Sequence, residues 1–297
     1  MEGARSGTRQ GAGPQWGGAM IAALLYHDVL TDDDPASSGF TEPGADIYKL
    51  SLAAFDAHLR ALHAEASSPP VVVGRDDATP ELPRTADASP MPFDEGGSGP
   101  RFAFTFDDGG ISAHDVIAPA LERLGWSGHF FVTTDFIGAP SFVDVDHVRS
   151  LHARGHVIGS HSCSHPERMA ALGSDELDEE WSRSVAVLSD ILGEPVRTAS
   201  VPNGYYSRAV ARSAARAGIR WLFTSEPTTR VDWVDGCGVI GRFNVQASTP
   251  PRTVADLVAP ISWTRRKQQL HWTGKKVAKR VGGTAYLRLR ATLLKGR

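Results

Sequence analysis

Two short stretches carry the side chains best suited to chemistry. Thr105-Phe106-Asp107-Asp108-Gly109-Gly110 sets adjacent carboxylates before a glycine pair, and His161-Ser162-Cys163-Ser164-His165 sets two imidazoles four residues apart. Neighbouring carboxylates at a strand end point to opposite sides. Each needs its own partner, because burying a bare carboxylate is costly. Alone, Asp-Asp-Gly is a common turn or helix cap. One helical turn brings the two imidazoles to one face. Two neutral imidazoles and one carboxylate make a three-ligand set with open positions, the arrangement of catalytic divalent metals. The two stretches together therefore point to a metal site, which neither does alone. Cys163 lies between the histidines. A thiolate also binds zinc, but its direction in the turn differs from theirs, and it reads as a packed thiol.

The elements that must hold these stretches follow from the surrounding pattern. The chain has 297 residues, 41% hydrophobic and 22% charged, which are ordinary values for a soluble globular protein. It is long enough to bury a core without staples. Its two cysteines, Cys163 and Cys237, make no disulfide framework and read as free thiols. No apolar run approaches the roughly 20 residues that span a bilayer. Residues 21–30 read as a buried strand, and 50–64 as a helix with Leu52, Phe55, Leu59 and Leu62 on one face. Residues 67–100 hold seven prolines and no periodicity, the mark of a loop or disordered insertion. Strands then read at 102–106, 128–134, 156–159, 197–201 and 219–224, between helices at 114–124, 145–154, 174–192 and 207–217. Ser174 is the expected N-cap of the third of these helices, and 253–259 a last helix. The alternation argues for an α/β fold, a parallel sheet or barrel with helices outside. Ligands in such folds sit at the C-terminal ends of the strands, where both stretches fall.

The paired stretches resemble the motifs of the polysaccharide deacetylase family, the NodB-homology domain of carbohydrate esterase family 4. Thr105-Phe106-Asp107-Asp108-Gly109 matches its first motif, and His161 to His165 matches its second, His-Ser/Thr-x-x-His. The resemblance covers roughly residues 21–245. It implies a distorted (β/α)7 barrel, placed here at residues 20–260, and metal-dependent N-deacetylation of acetamido sugars. It implies that Asp108, His161 and His165 bind the metal and that Asp107 is the general base. Zn2+ is the default cation from the ligand types, though Co2+, Ni2+ and Fe2+ tolerate the same donors.

The later motifs are altered. The family's late histidine, its general acid, has no clear counterpart: Gly241-Arg242-Phe243-Asn244-Val245 stands where it belongs, and His271 lies in a basic tail. Leu25-Tyr26-His27-Asp28-Val29 is similar instead to the Tyr-His strand of the biofilm poly-N-acetylglucosamine deacetylases, which implies His27 as the acid. The competing reading of His27 is a core-facing ring bonded to a backbone carbonyl. The family's Arg-x-Pro-Tyr-Gly becomes Ser200-Val201-Pro202-Asn203-Gly204-Tyr205. Pro202 and Gly204 keep the turn, so a backbone N–H near Asn203 can face an oxyanion. Tyr205 either lines the sugar site or is an ordinary strand-end aromatic. The arginine that braces the base is missing, and Arg242 and Arg197 are the candidates to replace it. Asp232-Trp233 weakly resembles the family's Asp-Trp motif, with Trp233 stacking on a sugar face. The other histidines read blandly: His58 and His63 on a surface helix, and His114, His129, His147, His152 and His156 without ligand spacing to the cluster.

Charge is unevenly spread. Residues 265–297 hold 11 Lys/Arg and no Asp or Glu, within a chain whose formal charge is -3. An acidic body with a basic tail, residues 261–297, leads to the expectation that the tail meets an anionic membrane surface. No nucleic-acid-binding motif appears. Residues 1–19 read as a disordered extension, and no export signal is visible, so a cytoplasmic location is expected. The expected activity is removal of N-acetyl groups from an acetylated glycan. The alternatives are an O-acetyl ester or non-sugar amide as substrate, and a glycan-binding relic without turnover.

Overall fold

A computed structural model of the chain describes residues 20–32, 34–41, 44–74 and 100–274. The expectations for residues 1–19, for most of the proline-rich stretch and for the end of the basic tail lie outside the described residues.

The first strand, β1 (Ile21–Tyr26), has all six residues buried. Two short strands follow, β2 (Val29–Leu30) and β3 (Leu50–Ser51), which pair with each other. Then come α1 (Leu52–Glu65), β4 (Arg101–Phe106), α2 (Ala118–Glu122), β5 (His129–Val132), α3 (Val145–Ala153), β6 (Val157–Ser160), α4 (Ser174–Leu192), β7 (Thr198–Ser200), α5 (Arg208–Arg216) and β8 (Trp221–Phe223). The chain continues through β9 (Val231–Val234), β10 (Cys237–Ile240), β11 (Arg242–Asn244) and α6 (Pro251–Val258).

Neighbouring strands run parallel in the order β11-β1-β4-β5-β6-β7-β8-β10, and β9 is antiparallel at the edge. β10 and β11 are one strand broken at Gly241. Its first half pairs with β8 and its second half with β1, which closes a ring of seven parallel staves. Glycine is required at the break: a Cβ on Gly241 would lie 2.2 Å from the Glu226 carbonyl oxygen. The seven-staved α/β barrel is the fold expected from the motifs. The seventh stave implied by the resemblance is made of residues 237–244, to which the sequence pattern assigns no element.

Side-chain alternation sorts the strands into two faces. Phe102, Phe104 and Phe106 join the outer core with Leu24, Tyr26, Phe130 and α1. Ala103, Phe131, Phe223 and Ile240 fill the inside. Thr105 and Asp107 share the inward parity of Ala103, and Arg242 pairs with inward-facing Ala23.

Several local expectations are corrected. His58 is not on a surface: it is fully buried, within 3.3 Å of the Tyr26 hydroxyl and 2.8 Å of the Thr249 carbonyl. The helix expected at 114–124 begins as a π-helical turn, Ala113–Ile117. The N-cap of α4 is Gly173, whose N–H donates to Glu176, and not Ser174. Residues 71 and 73 of the proline-rich stretch are tied to the barrel, Val71 N–H donating to the Phe102 carbonyl and Val73 N–H to His129. The basic tail begins as a helix, 263–274, joined to the end of β11 by reciprocal bonds between Gln268 and Asn244. No helix among the described residues is long and apolar enough to cross a membrane.

His129 supplies the first prediction. Its Nδ1–H donates to the Phe104 carbonyl at 3.0 Å and its Nε2 accepts from Val73 at 3.0 Å, so the neutral ring is fully used. Burial first, and the charge of Arg242 besides, outweigh the two backbone bonds and push its pKa down to about 4. The unfolded value is about 6.5. Between these values the unfolded chain binds a proton that the folded chain does not. Stability is therefore whole above about pH 6.5 and falls by up to about 3 kcal/mol as the pH drops to about 4. Urea unfolding of the chelator-treated chain at pH 7 and pH 4.5 measures the loss. His129→Asn should show a smaller loss, and an equal loss would place the titrating group elsewhere.

Candidate active site

The open end of the barrel is built by the segments leaving β4, β6 and β7 and by Arg242 of β11. Asp107 and Arg242 are both buried and form a two-point ion pair, Nη1 to Oδ1 at 2.6 Å and Nη2 to Oδ2 at 2.8 Å. Arg242 is held in turn by the Thr224 carbonyl at 3.2 Å. Arg197 precedes β7 and so lies at the opposite end of the barrel, away from Asp107. The guanidinium beside the carboxylate comes from β11, while Ser200 stands at the position where the family resemblance calls for arginine.

Ser200 joins two of the expected residues. His161 Nδ1–H donates to Ser200 Oγ at 2.5 Å, and Ser200 Oγ–H donates to Asp107 Oδ1 at 3.0 Å. This chain fixes the His161 tautomer and leaves the Nε2 lone pair free. Nε2 faces Asp108 Oδ1 at 3.3 Å and Asp107 Oδ2 at 3.9 Å. His165 Nε2 lies 3.6 Å from the same Asp108 oxygen. One ligand atom each from Asp108, His161 and His165 lies within 4.8 Å of the others. Neutral imidazole nitrogens and a carboxylate oxygen are a donor set that suits a borderline divalent cation.

Electrostatics favour the ligand-competent protonation states. Burial alone would raise the Asp107 pKa, but Arg242 and then His161 outweigh it and hold the carboxyl below its usual range. Burial likewise opposes ionisation of Asp108, yet the His161 contact and the charges of His27, His161 and His165 hold it too below its usual range. Burial and His161 push His165 down to about 4, against the pull of Asp108. Two ionised carboxylates and a neutral His165 at pH 7 follow.

The backbone is strained here. Non-glycine residues with φ in the left-handed region include Asp108 (77°), Ser162 (67°), His165 (57°) and Asn203 (55°), all at the open end. Such conformations cost of order 1–3 kcal/mol each and persist where surrounding contacts dictate them. For the His161–His165 loop those contacts come from α4. Glu180 accepts the N–H groups of Cys163 and Ser164 at 2.9 and 3.0 Å and the Ser164 hydroxyl at 2.6 Å. Arg183 Nε–H donates to Cys163 Sγ at 3.0 Å, which makes Cys163 a packing thiol and not a ligand. Glu180→Ala should lower divalent-metal affinity by about 10–100-fold, as loss of an outer-shell partner does. Calorimetric zinc titration checks this, and unchanged affinity would show that the loop holds its shape without Glu180.

The segment after β1 forms another wall. His27 is half-buried and packs on Tyr48 at 4.6 Å between ring centroids. Its Nδ1 is buried and makes no hydrogen bond among the described residues, so the carbonyl-bonded reading of this ring does not hold there at that nitrogen. Phe40 packs against the His165 ring at 4.6 Å. Asp28 anchors the segment, accepting from Ser38 at 2.5 Å and Ser112 at 2.8 Å. Gly110 must be glycine for this: its Cβ would lie 2.1 Å from an Asp28 oxygen.

The remaining expected residues divide. Asn203 is exposed in the turn after β7, and Tyr205 lies just beyond it beneath the Arg168 guanidinium at 5.2 Å. Trp272, from helix 263–274, borders the same turn: a Cβ on Gly204 would come within 3.9 Å of its ring. Trp233 is a correction. It pairs with Gly238 and packs on Trp221, the first residue of β8, at 5.5 Å. It therefore sits at the N-terminal end of the staves, opposite the site, because β9 runs antiparallel and carries it downward. Ser200, Glu180 and Asp28 were not anticipated. The signal for Ser200 was its place in the altered motif, and for Asp28 its adjacency to His27. Glu180, in the acid-rich start of α4, had none.

Comparison with known proteins adds the family. The polysaccharide deacetylase model matches residues 94–222. A gellan lyase of Bacillus sp is 32% identical over 103 residues, covering 35% of this chain and 4% of its own length. An uncharacterized 30.6 kDa protein of Geobacillus stearothermophilus is 27% identical over 131 residues, covering 43% of this chain and 47% of its own. The chain thus spans less than half the length of each. The Streptococcus pyogenes deacetylase PplD, solved in complex with acetate, superposes with a TM-score of 0.63 at 18% identity, covering 82% of this chain and 99% of PplD. IcaB from Ammonifex degensii gives a TM-score of 0.57 at 20% identity, with 82% and 99% covered. At such identities the likeness is one of fold. Over residues 94–222 the chain thus matches the polysaccharide deacetylase family model, and its barrel is the fold that PplD and IcaB share.

Proposed function

We propose that the chain is a divalent-metal-dependent hydrolase that removes N-acetyl groups from an amino-sugar glycan. One observation carries the reading: Asp107, ionised by a buried guanidinium, lies 3.9 Å from His161 Nε2, beside the Asp108–His161–His165 donor cluster. A divalent cation held by those three residues acidifies water and polarises a carbonyl oxygen. Asp107 takes the proton of the attacking water, and Arg242 with Ser200 fixes the direction of its lone pairs. In the Pro202–Gly204 turn, the N–H groups of Gly204 and Tyr205 bond back to Val201 and Pro202. The Asn203 N–H is then the donor this turn offers to an oxyanion. His27 delivers the proton to the leaving amine, and among the described residues no group bonds its Nδ1. Tyr205 borders the sugar. The family match and the fold shared with deacetylases support the reading.

Acetate release by the zinc-loaded chain tests it. Release from N-acetylated polyglucosamine, abolished by Asp108→Ala, is expected. Release from O-acetyl esters alone would move the substrate to the ester class. Glycan binding without release from any substrate would leave a relic.

The partner reading concerns the tail. Ile261, Trp263 and Leu270 are 76%, 67% and 73% exposed, and in sequence they fall at the start of the cation-rich residues 265–297. Apolar and cationic side chains together suit an anionic lipid surface. Sedimentation with anionic but not neutral vesicles, lost in Trp263→Ser/Leu270→Ser, is expected, and sedimentation with neither removes this partner.

A further inference from the structure

A second group of metal-type donors lies outside the barrel mouth. His114 and Asp115 stand on the π-helical turn that opens α2, and His147 stands in the first turn of α3. One ligand atom from each lies within 4.8 Å of the others, and none belongs to the Asp108 cluster. His114 Nδ1 is 2.8 Å from Asp115 Oδ1, and the two imidazole centroids are 4.5 Å apart at 47°.

The second nitrogen of each ring already has a partner. His114 Nε2 is 3.1 Å from Ser150 Oγ, and His147 Nδ1 is 3.0 Å from Asp144 Oδ1 and 3.2 Å from the Asp144 N–H. Asp115 can only accept, so the His114 Nδ1 proton points at Asp115 Oδ1; a cation replacing that proton would take Nδ1 as its ligand and put an Nε2–H on the Ser150 hydroxyl. His147 Nδ1 accepts the Asp144 N–H in the α3 capping box, so a cation on Nε2 would move the ring proton to Nδ1, toward Asp144 Oδ1 at 3.0 Å. At His114 the Ser150 contact is the outer-shell pattern that fixes a ligand tautomer at a metal site. The π-turn contributes as well: its wider hydrogen-bond ring re-aims side chains, and such turns recur at functional sites. All three donors reach solvent, their side chains 23%, 57% and 29% exposed for His114, Asp115 and His147, so a cation has a path in and water can complete its shell.

We infer that His114, Asp115 and His147 form a second divalent-metal site, of zinc-like preference, that ties the π-turn to α3. Binding there clamps the segment immediately after Asp108–Ser112 to its neighbouring helix and is independent of the mouth cluster.

The test uses the full chain carrying Asp108→Ala, so that failure at the mouth and failure here stay separate. Calorimetric titration with zinc chloride should show one equivalent in Asp108→Ala and none in Asp108→Ala/His114→Ala. Ser150→Ala in the Asp108→Ala background should weaken that equivalent by about 10-fold or more. Cobalt(II) in Asp108→Ala should give visible d–d absorption that His147→Ala removes. His114 lies outside the α3 capping box, so the His114→Ala variant reports binding and not loss of the cap. No zinc uptake by Asp108→Ala, or uptake that His114→Ala leaves intact, overturns the inference.

Discussion

Asp107→Asn is expected to keep its metal and lose turnover by about 10²–10⁴-fold, the range a positioned base contributes. The asparagine can still accept one Arg242 N–H through Oδ1, but its amide NH2 opposes the second and cannot take a proton from water. Asp108, His161 and His165 are untouched, so bound zinc should stay at the wild-type level when measured alongside acetate release. A variant that lost metal together with rate would make residue 107 a ligand. An unchanged rate would remove it from the chemistry.

Arg242→Met is the second large effect, and it falls on stability first. The guanidinium is fully buried and meets both oxygens of a carboxylate that is itself 5% exposed. Removing it leaves Asp107 with Ser200 as the other hydrogen-bond donor the structure gives it, at 3.0 Å. Breaking one half of a buried ion pair costs about 3–5 kcal/mol, because the other charge stays buried and uncompensated. For a chain of this size that is a fall of roughly 10 °C in Tm. Arg242→Met/Asp107→Leu should recover much of the loss while remaining inactive. Arg242→Lys should recover less, since an ammonium lacks the planar fork. A cost below about 1 kcal/mol for Arg242→Met would mean that Asp107 is better hydrated than its burial shows.

Arg242 also marks the limit of what was readable in the residues. The staves from β4 to β8 were readable, because Phe102–Phe106, His129–Val132 and their successors alternate with capped helices. The seventh stave was not. Residues 237–244 contain Gly238, Gly241 and a charged Arg242, which interrupt the apolar run that marks a buried strand. Only closure of the ring shows that the arginine points inward to meet Asp107 and that Gly241 marks the break. Trp233 failed for a related reason: a short motif does not say which end of a barrel its strand presents, and an antiparallel β9 reverses the answer. His58 was different. It lies three residues after Phe55 and four before Leu62, on the buried face of α1, so its burial was present in the periodicity and was overlooked in favour of its polarity. The donors at the mouth were readable because metal chemistry demands few residue types at close spacing. Glu180, which holds the ligand loop, comes from a distant segment and carries no local signature, and Ser200 was marked only by its place in the altered motif.

The central claim is that Asp108, His161 and His165 hold one divalent cation between them. Anomalous diffraction at the zinc edge, from crystals grown with zinc, tests it most directly. The account expects a peak about 2.0–2.2 Å from an Asp108 carboxylate oxygen and from Nε2 of both histidines. Anomalous density at the His114 cluster alone, with these three side chains bonded only to one another, would contradict it.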